Sequence, residues 1–122
     1  MRMTLVALFC CLALIGNVCN AEHPLEVSPR YWLQLMDNDI EAVSRGNEPS
    51  GSFTDVFVPN AGEALKLGAT RREVNVRIER AVGLAKKGKY ISLGMKRMMD
   101  EGGPVAVREY ADSWIKEYLR PR

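Results

Sequence analysis

The chain has 122 residues, 47% of them hydrophobic, enough to build one buried core and too few residues for two domains of ordinary size. Its net charge of +2 conceals a strong asymmetry: residues 22–65 carry two basic against eight acidic side chains, and residues 66–97 carry ten against two. A single histidine, His23, near the start of the chain, argues against a Ser/His/Asp or Cys/His catalytic set, which needs an imidazole held by packing.

Residues 1–21 have the make-up of a secretory signal. Arg2 precedes an eleven-residue apolar run from Leu5 to Ile15, and Cys19 and Ala21 stand at the −3 and −1 positions of a cleavage site after Ala21. The run is shorter than the roughly 20 apolar residues that a membrane-spanning helix requires. The expected product is residues 22–122, secreted and extracellular. Cys10, Cys11 and Cys19 all fall within the leader, so the product has no disulfides, and no Asn-x-Ser/Thr acceptor offers a glycan. Stability must then come from packing, from a partner, or be dispensable in a precursor.

Beyond the short lead-in 22–27, Ser28 and Pro29 have the residue types of an N-cap and first helical position, and Gly46 follows Arg45 as a C-terminal stop. Trp32, Leu33, Met36, Ile40 and Val43 form the apolar side of that helix. Asp39 lies at the edge of the stripe; its expected role is an ion pair with an arginine or a mark of the boundary, with acid–base work as the alternative. Residues 46–59, rich in Gly, Ser, Asn and Pro, read as a flexible loop that docks Phe53, Val56, Phe57 and Val58 in extended form. Asn60 and Glu63 have the spacing of a capping box before a short helix at 60–67.

Residues 70–88 carry the clearest helix signal. Thr70 and Glu73 form a second capping-box pattern, while Val74, Ile78, Ala81, Val82 and Ala85 recur at three- and four-residue steps, and Gly88 supplies a stop. Met95, Met98 and Met99 suggest a helix at about 93–101, used as adaptable core filling or as a partner surface. Gly102 and Gly103 read as a turn, Pro104 opens the last helix, and Val107, Tyr110, Ala111, Trp114, Ile115 and Tyr118 share one face of it over 104–119. The expected fold is all-α: a small bundle of four to five amphipathic helices in which the Trp32, Val74/Ile78 and Trp114 stripes meet in one core.

No cofactor and no metal ligand set is expected, because one histidine and no cysteine remain in the product and the carboxylates show no clustered spacing. His23 near a free amine could capture copper adventitiously, without the outer groups that hold a functional site. The chemistry expected is therefore binding rather than catalysis. Arg71, Arg72, Arg77, Arg80, Lys86, Lys87 and Lys89 are the candidate interface, either balancing the acidic N-terminal part or held out toward a receptor or another anionic protein. A second reading is a prohormone or neuropeptide precursor cleaved at Arg71-Arg72, Lys86-Lys87 and Lys96-Arg97, releasing residues 98–122 as an amphipathic peptide. A third is a cationic host-defence peptide on a membrane surface, weakened by the lack of Trp or Phe on the basic helix. Nucleic acid is not an expected partner, since no reading motif is present.

Overall fold

Two kinds of local signal set the architecture: side-chain caps that start helices, and glycines that stop them. The computed structural model describes residues 27–121, which form α1 (Pro29–Ser44), a π-helical turn (Phe53–Phe57), α2 (Val58–Lys66), α3 (Arg71–Ala85) and α4 (Leu93–Tyr118). The signal segment, its cleavage site and His23 lie outside the described residues. The fold is an all-α bundle, as the periodicities predict.

Ser28 caps α1, its Oγ accepting from the Arg30 amide at 3.2 Å, with Pro29 in the first turn. At the far end Gly46 takes φ +81°, which lets its amide donate to Val43 O and the Asn47 amide donate to Ala42 O at 2.8 Å. Two otherwise orphaned carbonyls are thereby satisfied. The same double closure ends α2, where the Ala69 amide reaches Ala64 O, and α3, where the Lys89 amide reaches Leu84 O. At the start of α3 both halves of the capping box are made: Glu73 N donates to Thr70 Oγ1 at 3.1 Å, and Thr70 N donates to Glu73 Oε1 at 2.8 Å.

The segment between α1 and α2 departs from the expected loop. Residues 53–57 wind into a single π turn that runs without a break into α2, which begins at Val58 rather than Asn60. Ser52 Oγ accepts from Asp55 N, and Ser92 Oγ accepts from Phe53 N at 3.2 Å and from Met95 N at 3.4 Å, so one hydroxyl serves two helix starts. The turn is fixed by burial: Phe53 and Phe57 stack at 5.5 Å and expose no surface. Asn60 is not a cap. It sits inside α2, 6% exposed, because a helix entered through a π turn has no extended residue at which a cap could form.

Asp39 also differs from expectation. It is 2% exposed and pairs with no arginine among the described residues; its Oδ1 accepts from both the amide and the hydroxyl of Ser50, each at 2.8 Å, and so fastens the 46–52 connection onto α1.

The core gathers Leu33, Met36, Ile40 and Val43 of α1, the two phenylalanines, Val58, Ala61 and Ala64 of α2, and the predicted stripe of α3, all buried. α4 adds Met95, Val107, Ala111 and Ile115, with Trp32, Met98, Met99, Tyr110 and Trp114 packed half-buried at its edge. The three predicted stripes do share one core, and the methionines serve mainly as filling. The length of α4 conceals a kink: Gly103 has φ 71° and ψ −165°, so residues 93–102 and 104–118 are two arms joined at the predicted turn.

Candidate protein-binding face

Burial of Val74, Ile78, Ala81, Val82 and Ala85 fixes how α3 is rotated, and therefore which side chains it turns outward. Arg72, Val76, Gly83 and Lys87, separated by four, seven and four residues, lie along the opposite line, with Lys86 beside them. Val76 is 49% exposed at the centre of this face, an apolar residue in the midst of charges. A Cβ placed on Gly83 would meet nothing within 4 Å, so the helix backbone itself is accessible there.

The seven predicted residues divide into two groups. Arg77 donates to Asp37 Oδ2 at 2.9 Å and to Glu73 O, and Arg80 reaches the same carboxylate at 3.3 Å, tying α3 to α1. Arg71 pairs with Asp112 of α4 and donates to Asn75, and Lys89 Nζ donates to Ser44 O at 2.9 Å. These four take part in balancing acidic or carbonyl groups on the neighbouring helices. Arg72, Lys86 and Lys87 are exposed and make no ion pair or hydrogen bond of their side chains among the described residues. The structure thus narrows the outward cationic set to three, with half-exposed Arg80 on the boundary.

Beside this face runs a groove of about 260 Å³ between α1 and α3, lined by Ile40, Ser44, Arg80, Gly83, Leu84 and Lys87. Its floor is Ile40, Leu84 and the bare backbone at Gly83; Arg80 and Lys87 stand at its rim, seven residues apart on the same helix. An apolar side chain seated on the floor would bring a neighbouring carboxylate within reach of either cation. Arg80 and Lys87 are the two predicted residues that the fold brings together in a concavity.

A larger cleft of about 710 Å³ opens where residues 46–52 face residues 88–93 and Lys96, and nothing in the local sequence patterns points to it. Its signals are long-range: the Asp39–Ser50 clamp and the Lys89–Ser44 bond set its walls. Its cation is already engaged, because Lys96 donates to Asp100 at 2.8 Å and lies 5.9 Å from the Tyr90 ring centroid. Asp100 holds the Lys96 pKa above its ordinary value by that hydrogen bond.

Other charged groups shift for equally local reasons. The hydrogen bonds from Arg108 hold Glu79 below its ordinary carboxylate value, at 2.6 and 2.8 Å, and the amide and hydroxyl of Thr70 do the same for Glu73. Burial pushes Tyr110 up. Glu79, Arg108 and Asp112 line one small cavity of about 210 Å³, where Glu79 is bonded to Arg108 and Asp112 to Arg71. Among the described residues no three His, Cys, Asp or Glu side chains converge to hold a metal ion, and no helix is long and apolar enough to cross a membrane. No protein-family model, curated protein or solved structure matches the chain.

Proposed function

We propose that the protein acts by binding rather than by catalysis, presenting the outer face of α3 to an acidic protein partner after export directed by its first 21 residues. The observation that carries this reading is the groove with an apolar floor at Ile40, Gly83 and Leu84 and cations at Arg80 and Lys87, continued along α3 by Arg72, Val76 and Lys86. A partner helix or strand with one apolar side chain flanked by Asp or Glu fits that pattern. Aliphatic contact on Val76 and the groove floor would supply affinity, and the cations would set orientation and association rate. Exposed ion pairs within one chain are worth at most about 1 kcal/mol each, so a partner's carboxylates can compete for Arg80 without unfolding the bundle.

Reversal of Arg72, Lys86 and Lys87 to Glu tests the reading, since none of the three carries a side-chain hydrogen bond or ion pair among the described residues. The wild-type chain and the R72E/K86E/K87E variant are used to capture acidic proteins from the extracellular fluid of the source, and the captured protein is titrated against both. The expected result is at least a tenfold loss of affinity, about 1.4 kcal/mol, with helicity unchanged. Equal affinity at low salt would remove α3 as the interface.

A further inference from the structure

Three dibasic pairs stand in the described chain, and the fold treats them very differently. Arg71-Arg72 occupies the first turn of α3, behind the completed Thr70/Glu73 capping box, with Arg71 held by Asp112 and Asn75. The bond after Arg72 leads to Glu73, whose carboxylate and amide both belong to that box. Lys96-Arg97 lies within α4, between Met95, which exposes nothing, and the half-buried Met98 and Met99; Lys96 is tied to Asp100. Lys86-Lys87 alone stands where a helix ends: residues 86–89 are exposed, and after Gly88 the chain leaves the helix for the non-helical stretch that precedes α4.

Endoproteases take a substrate segment in extended form, so a bond inside a packed helix is cut only after local unfolding, whereas exposed turns are nicked in the native state. Around Lys87 only the last turn and its closure must open: the amides of Lys86, Lys87, Gly88 and Lys89 donate to Val82 O, Leu84 O, Ala85 O and Leu84 O, and Lys89 Nζ to Ser44 O. The nearest core side chains are the small Ala85, just before Lys86, and Ile91, four residues after Lys87.

We propose that the Lys87–Gly88 peptide bond is the processing site of the folded protein for a dibasic-specific endoprotease, and that its cleavage leaves two chains still associated. Hydrolysis adds the hydroxyl of one water to the Lys87 carbonyl carbon and its proton to the Gly88 nitrogen, with no other bond broken. The C-terminal piece keeps Ile91, Met95, Val107, Ala111 and Ile115 in the shared core, and the Arg71–Asp112 pair and the two hydrogen bonds from Arg108 to Glu79 cross the new boundary. Release of residues 98–122 as a free peptide would require cutting inside α4 and emptying that core. This inference shares Lys86 and Lys87 with the acidic-partner reading but does not rest on it, since cleavage is read on the protein without a partner.

The test is limited digestion of the full folded protein with a dibasic-specific endoprotease, read by mass spectrometry under native and denaturing conditions. The expected result is a first product whose native mass rises by one water and whose denatured masses are the two pieces ending at Lys87 and beginning at Gly88. The K86Q/K87Q variant, with unchanged helicity, should lose that product. A first cut after Arg72 or Arg97, resistance of all three pairs, or separation of the pieces under native conditions would each overturn the proposal.

Discussion

Replacing a glycine by alanine should have opposite effects at Gly83 and Gly103, although the chemical change is identical. Gly83 lies in the interior of α3 with nothing within 4 Å of where a methyl would stand, so Gly83→Ala gains helix propensity and meets no obstacle. The expected gain is about 0.8–1.0 kcal/mol. Gly103 has φ 71° and ψ −165°, a region essentially closed to residues with a Cβ, and the kink it makes aims both arms of α4 at the core. Gly103→Ala should cost about 1–3 kcal/mol, even though space for the methyl itself is free. Urea unfolding followed by far-UV circular dichroism gives both values from shifts of the midpoint at constant slope. For a domain of this size the two changes amount to roughly 4–8 °C in Tm per kcal/mol, upward for Gly83→Ala and downward for Gly103→Ala. A Gly103→Ala protein as stable as the parent would refute the kink as a constraint and with it the division of α4 into two arms.

Acid should weaken the bundle through Glu73 and Glu79. Both have folded-state pKa values below the ordinary 4.5, so their contribution is complete above about that pH and is lost as pH falls through the folded values; Glu79→Gln should flatten that part of the stability-against-pH curve. The Arg108–Glu79 pair, despite two short hydrogen bonds, is 41% and 50% exposed, and a double-mutant cycle should return a coupling of about 0.2–1 kcal/mol; a value above about 2 kcal/mol would mean the pair is far better shielded than its exposure implies.

Helix starts and stops are legible wherever the signal is local. Ser28-Pro29, Thr70 with Glu73, Gly46 and Gly88 each act within a few residues of themselves, and each behaves as its residue type predicts. The π turn is not legible, because five residues with i to i+5 bonding have no amphipathic period and Pro59 argues for a break; the four-residue spacing of Phe53 and Phe57, both fully buried, is the one clue in the sequence. Asp39 escapes local reading for a related reason. Its partner, Ser50, belongs to a connection that folds back over α1, and no local pattern encodes that return. Among the seven cations, sequence locates the basic helix but not its division, since the carboxylates of Asp37 and Asp112 that engage Arg77, Arg80 and Arg71 come from helices about 40 residues away.

The central claim is that the outer face of α3 meets a partner, and a photo-crosslinking residue placed at position 76 tests it at the middle of that face. As a control the same residue replaces Val105, which is 57% exposed on α4. The account predicts that the position 76 probe captures an acidic protein from the extracellular fluid, that capture fades as salt is raised, and that the position 105 probe captures none of it. Equal capture at the two positions, or capture at 76 indifferent to salt, would contradict it.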